Sequence, residues 1–175
     1  MTRVGMSVVG AAAHGTSAPR SVPIEALKPS DSPRGLRQDE DHVRKLAESG
    51  RDFEPILVHR PTMRVIDGMH RLSAMALRGH REMAVRFFDG SEADAYVLSV
   101  QLNVRHGLPL TRAERRLAAS RILLSHPHWS DRAIAERTGL SDKTVGKLRR
   151  SASAEIPPGC GSRSMRSSSG RSTSP

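Results

Sequence analysis

Hydrophobic positions along the chain change rhythm near residue 111, and the two rhythms predict different architectures. Before that point, short apolar runs alternate with helical stripes. Val22 and Ile24 predict a short strand, and Pro29, Ser30, Asp31, Ser32 and Pro33 predict a loop by their turn composition. Asp39 can cap a helix whose apolar stripe is Val43, Leu46 and Ala47, with Gly50 where a left-handed stop would fall. The β-branched runs from Pro55 to His59 and from Met63 to Ile66 predict two strands joined tightly through Arg60-Pro61-Thr62. Asp67-Gly68 breaks the second strand, and Leu72, Met75, Ala76 and the closing Gly79 outline a helix over about residues 69–78. A further strand from Met83 to Phe88 stops at Asp89-Gly90, and a mostly apolar helical stretch follows from Ser91 to about Val104. Residues 21–110 therefore read as one mixed α and β domain.

From Thr111 the pattern is purely helical. Thr111 and Glu114 form a T-x-x-E capping box, and Leu117, Ala118, Ile122 and Leu123 repeat at helical spacing as far as His126-Pro127. Ser130 can cap a next helix bearing Ile134 and Ala135, Gly139 supplies a turn with Leu140 beneath it, and Ser141 caps a last helix bearing Val145 and Leu148. This is helix-turn-helix spacing over 130–150, inside a helical domain of 111–150. Small Ala135 permits close helix approach, Gly139 takes positive φ at little cost, and Ile134, Leu140, Val145 and Leu148 close a miniature core. Residues 1–20 lack periodicity, and residues 151–175 hold nine Ser, three Pro and three Gly, so both ends read as disordered. The expected fold class is α+β followed by an all-α domain, with disordered termini.

Charge sharpens this picture. The 175 residues carry a formal net charge of +10, which points to a polyanionic partner. Net charge is +2 over residues 1–110, +6 over 111–150 and +2 over 151–175, so the excess concentrates on the helix-turn-helix. An ordinary packed helix corner would not need that excess. The second helix of such a motif lies in the major groove, which makes Asp142, Lys143, Thr144 and Lys147 candidates for base or phosphate contact, together with the capping Ser141. Arg149 and Arg150 are expected near the DNA backbone, and Arg132 could hold a phosphate from the preceding helix. One small module binds weakly, so a homodimer reading two half-sites on double-stranded DNA is expected.

Several classes are disfavoured. A single cysteine, Cys160, leaves no internal disulfide framework or multi-cysteine zinc ribbon and points to a reducing compartment, and with DNA as partner a cytoplasmic, nucleoid-associated setting is expected. No apolar run approaches the roughly 20 residues of a membrane span. Arg3 followed by Val4 to Ala13 imitates a signal peptide, but Gly5, Ser7 and Gly10 interrupt it, and a disordered leader is the expectation. His126 and His128 flank Pro127 without the Cys or Glu neighbours a metal site would use, so no metal is expected. No G-x-S-x-G elbow occurs, and five aromatic residues without regular spacing do not make a single-strand stacking platform.

Asp67-Gly68-Met69-His70-Arg71 forms a strand-to-helix turn with a glycine, free backbone N–H groups, an imidazole and a guanidinium, the parts of an anion cradle. A plain turn with two solvated polar side chains is the alternative. The succession of Pro33-Arg34, Glu54-Pro55-Ile56-Leu57-Val58, residues 65–74 and Gln101-Leu102-Asn103-Val104-Arg105 resembles a ParB/sulfiredoxin-type N-terminal domain over about residues 21–110. The helix-turn-helix that follows extends the resemblance to about residue 150. More narrowly, the strings 62–71, 85–90 and 126–132 resemble StrR-like pathway-specific activators of antibiotic gene clusters. The resemblance implies a nucleotide-handling fold, with Gly68, His70, Arg71 and Asn103 as the residues that would meet a nucleotide or other anion. ParB proteins that bind CTP carry acids where this chain has Met69 and Leu102, so CTP hydrolysis is not expected, Mg²⁺ preferring oxygen ligands. Met69 also stands where sulfiredoxins have their reactive cysteine, and a thioether supplies no thiolate.

The reading is a sequence-specific DNA-binding transcriptional regulator, an activator of a secondary-metabolite gene cluster, without enzymatic activity or a required cofactor. Transcription machinery would be its further partner. A nucleotide-switched partitioning clamp and a ParB-like-domain nuclease or kinase are the alternatives. After Glu155-Ile156-Pro157 the composition turns abruptly to Gly, Ser and Arg, and a tail truncated or read in a shifted frame from about Pro158 is the expectation there.

Overall fold

A computed structural model describes residues 17–32, 40–105 and 110–154. The cap at Asp39, the Pro33-Arg34 pair, His106 and residues 1–16 and 155–175 lie outside the described residues, while the expected disorder does not extend over 17–20, where Ser17 N donates to Phe87 O and Arg20 joins the first strand, or over 151–154, which continue the last helix. The elements run β1 (Arg20–Pro23), α1 (Glu40–Glu48), β2 (Ile56–His59), β3 (Arg64–Asp67), α2 (Met69–Leu77), β4 (Glu82–Phe88), α3 (Glu92–Arg105), α4 (Arg112–Ser125), α5 (Asp131–Thr138) and α6 (Asp142–Ala154). The expected order of strands and helices is observed, with small differences at two ends. Ile24 leaves the first strand and opens a short 3-10 turn, Ile24–Ala26. The β2–β3 turn takes in Met63, whose φ of 55° lies in the left-handed region.

The four strands form one mixed sheet in the order β1-β4-β2-β3. β1 and β4 are antiparallel, β2 and β3 form an antiparallel hairpin, and β4 lies parallel to β2 with Ile56 beside Val85 and Val58 beside Phe87. A parallel pair needs a crossover, and β3 with α2 supplies it. In β4 the period of two places Met83, Val85 and Phe87 inward while Glu82, Ala84 and Arg86 stay exposed.

Ile56, Val58, Val65, Leu72, Met83, Val85 and Phe87 form the core between the sheet and α2. Arg78, just past α2, caps the end of α1: its guanidinium donates to Ala47 O and Leu46 O at 2.8 Å each and to Arg51 O at 2.9 Å. Leu46 O and Ala47 O belong to the last turn of α1, whose carbonyls lack the partners of the helix interior, and Arg51 O lies on the loop that follows. On the other face, Ile66, Phe88 and Ala95 pack with Leu57, Leu98 and Leu102, which seats α3.

α3 also belongs to a second core. Tyr96, Val97 and Val100 pack with Leu110, Ala118, Ala119, Ile122, Leu123, Ile134, Ala135 and Val145. The change of pattern at residue 111 therefore coincides with no gap in packing. Polar bonds run along the same seam: Arg121 on α4 forks onto both carboxylate oxygens of Asp31 and lies 3.9 Å over the Tyr96 ring. Arg121 holds the Asp31 carboxyl below its ordinary value, and burial raises the Tyr96 phenol. His126 Nε2 meets Asp94 Oδ1 at 3.2 Å, and the Asp94 carboxyl is lowered first by the Ser91 hydroxyl and then by His126.

Candidate nucleic-acid interface

Caps and one glycine build the helix-turn-helix. The Thr111 hydroxyl accepts from Glu114 N, and the Glu114 carboxylate accepts from Thr111 N at 2.7 Å, closing the capping box that starts α4. The Ser130 hydroxyl accepts from Ala133 N at 3.2 Å at the start of α5. Gly139 ends that helix at φ 65°, and its carbonyl accepts from Arg115 Nη1 at 3.1 Å, so α4 braces the turn. Ser141 Oγ accepts from Thr144 N at 3.3 Å and starts α6. Ile134 and Val145 are fully buried, with Leu140 and Leu148 packed partly buried against them, which is the miniature core expected from the spacing.

The core orients what remains outside. Asp142, Lys143 and Lys147 are exposed on the first two turns of α6, with Arg150 exposed on the next. Thr144 is half-buried, 2.9 Å from Ser141 Oγ, so both hydroxyls are engaged in starting the helix. The Asp142 carboxylate accepts from Lys143 N at 2.7 Å, a favourable place for an acid at a helix N-terminus. Arg132, 86% exposed, reaches Glu136 Oε1 at 3.4 Å along α5, a surface pair worth little and easily exchanged for another anion. Arg149 is placed differently. Its Nε donates to Asp131 Oδ1 at 2.7 Å, its Nη2 to Trp129 O at 2.7 Å and its Nη1 to Pro127 O at 3.2 Å. It faces the α4–α5 turn, not the outer surface that carries Lys143 and Lys147.

The turn at Gly68 is a second, separate place. Gly68 caps α2 at φ 101° with no side-chain cap, and a Cβ there would lie 2.5 Å from Ile56 Cγ2. Arg71 does not stand solvated: Nη2 donates to Asp67 Oδ2 at 2.7 Å and Nη1 to Glu54 O at 2.9 Å. The His70 ring meets the His42 ring of α1 edge-on, centroids 5.2 Å apart. Asn103 Nδ2 donates to Ser99 O at 2.9 Å within α3. Sequence reasoning missed His42, the Asp31–Arg121 pair and the Asp94–His126 bond, since each partner lies far away along the chain. Among the described residues, no group of three or more His, Cys, Asp or Glu is placed to hold a metal, and no helix is long and apolar enough to cross a membrane.

Solved structures share this arrangement of mixed sheet and following helices. The ParB chromosome-partitioning protein of Caulobacter crescentus, C-terminally truncated and complexed to the centromeric parS site, superposes with a TM-score of 0.53 at 23% identity, covering 79% of this chain and 73% of that one. A Pnob8-like ParB-N domain gives 0.52 at 22% identity, covering 82% and 70%. The chain has a ParB N-terminal-like fold. Within that fold, its sequence is much nearer to two Streptomyces proteins. It is 53% identical over 141 residues to the "Streptomycin biosynthesis operon possible regulatory protein" of Streptomyces griseus, covering 81% of this chain. It is 55% identical over 128 residues to the "Transcriptional regulator NovG" of Streptomyces niveus, covering 73% of this chain. The chain spans 40% of the length of each of these relatives. No family model matches the chain.

Proposed function

We propose that this chain is the DNA-reading part of a StrR-like transcriptional regulator of an antibiotic biosynthesis operon. The observation that carries the reading is the exposed cationic start of α6, Lys143 and Lys147, set beyond the Gly139 turn of a fully packed helix-turn-helix. Laid in a major groove, α6 presents Lys143, Thr144 and Lys147 to base edges or phosphates, with Ser141 and Asp142 at its leading end. Arg132 and Arg150 flank it as phosphate contacts. Similarity to two proteins named as regulators, and a fold shared with a ParB bound to parS, support the same reading. Gly68, His70, Arg71 and Asn103 remain a proposed anion-binding set, and the role assigned to the protein is binding, not catalysis.

The test is titration of the chain against fluorescent genomic duplex fragments over a salt series, beside the Lys143→Ala/Lys147→Ala variant. Binding to a preferred fragment, falling with salt and weakened in the variant with a salt slope smaller by about two, is the expected result. Equal binding by both proteins would overturn the assignment of α6.

A further inference from the structure

The base of α6 carries a role that the charge pattern conceals. Arg149 is one of four cations on this helix, yet its guanidinium turns three donors, one from each nitrogen, to Asp131 of α5 and the carbonyls of Pro127 and Trp129 in the α4–α5 turn. A planar fork meeting three fixed acceptors sets both distance and angle, which an ammonium cannot do. The acceptors are themselves held. His126, at the start of that turn, meets Asp94 of α3 at 3.2 Å and packs against the Trp129 ring, tilted by 45° with centroids 4.3 Å apart. A second observation marks the same spot. Gly146 is buried in the middle of α6, where glycine is costly to a helix, and a Cβ there would lie 2.9 Å from Asp131 Oδ2. A side chain at 146 would therefore have to displace the Asp131 carboxylate.

We infer that Arg149 is a positioning residue, fixing the reading helix against α5 through Asp131, with Gly146 giving the clearance, and that it does not contact DNA. The inference rests on the DNA-reading role proposed for α6. Base contacts tolerate only small displacements of the helix that bears them, whereas attraction to phosphates is long-ranged and forgiving. Loosening the clamp therefore moves Lys143, Thr144 and Lys147 together, and the loss appears in discrimination between sequences.

The experiment compares the full chain with Arg149→Lys, Arg149→Ala, Asp131→Ala and the Arg149→Ala/Asp131→Ala double variant. Each is titrated with its preferred fragment and with a random duplex over a salt series, at a temperature where circular dichroism shows it folded. The expected result is a loss of discrimination of about tenfold or more in Arg149→Lys as well as Arg149→Ala, with the salt slope unchanged. Asp131→Ala should lose it too, although removing a negative charge would by itself strengthen DNA binding, and the double variant should be no worse than either single one. Wild-type behaviour of Arg149→Lys, with Arg149→Ala losing about one unit of salt slope, would make Arg149 a phosphate contact and overturn the inference. Tighter binding by Asp131→Ala would overturn it as well. If Arg149→Ala does not fold, Arg149→Lys and Gly146→Ala carry the comparison. If the wild type prefers no fragment, the proposed function fails, and the clamp is then read from thermal unfolding: non-additive shifts of the two single variants support it, additive shifts refute it.

Discussion

Single residues decide the turns on which both candidate sites rest. Gly68 has a φ of 101° and no room for a Cβ beside Ile56, so Gly68→Ala should cost at least about 2 kcal/mol, from backbone strain and overpacking together. Urea denaturation measures that loss directly. Ser130→Ala removes the hydroxyl that accepts from Ala133 N, and a loss of about 1 kcal/mol is expected in the same assay. Both residues were legible in sequence, because the chemistry of a glycine or a cap acts on the few residues around it. The long-range acceptors of Arg71 and Arg149 were not. Glu54 O for Arg71, and Asp131 with the 127–129 carbonyls for Arg149, come within reach only when separate elements meet. Gly146 was the available signal for the second case, since a glycine inside a helical pattern asks what approaches it.

Among the elements, α3 does the most varied work. One part of its surface covers the sheet through Ala95, Leu98 and Leu102, and another joins the helical core through Tyr96, Val97 and Val100. Its apolar positions therefore extend around much of the helix, which accounts for a stretch legible as helical and apolar without a single clear stripe. Val100 is fully buried, so Val100→Ala should lose about 2 kcal/mol through transfer and cavity terms. The same denaturation curve should remain a single transition, because α3 ties the two cores together; separate melting of sheet and helices would contradict that coupling.

For the molecule as a whole, the seam between sheet and helices is electrostatic as well as apolar. Asp31 sits on the loop after β1, Arg121 on α4, and Arg121 holds the Asp31 carboxyl below the ordinary value of 3.8. A carboxylate whose folded pKa is depressed contributes its stabilisation fully above the unfolded value and loses it as pH falls through the folded one. Wild type and Asp31→Asn should therefore differ in melting temperature near neutrality, with a gap that starts to close only below about pH 3.8 and vanishes below the depressed folded value, as followed by thermal melts over an acid series. A gap that persists undiminished in acid would place the stabilisation in packing, not charge.

Local chemistry is what the sequence determined by itself: strand and helix order, the Thr111, Ser130 and Ser141 starts, the Gly50, Gly79 and Gly139 stops, and a cationic α6 behind a packed turn. Each of these follows from interactions reaching a few residues along the chain, or from a periodicity of two or 3.6. Tertiary structure alone decided the strand order β1-β4-β2-β3, the double use of α3 and the bonds of Arg121, His126 and Arg149. The physical reason is that a side chain advertises its donors and charge in the sequence, while the identity of its partner depends on which distant element the hydrophobic cores bring against it.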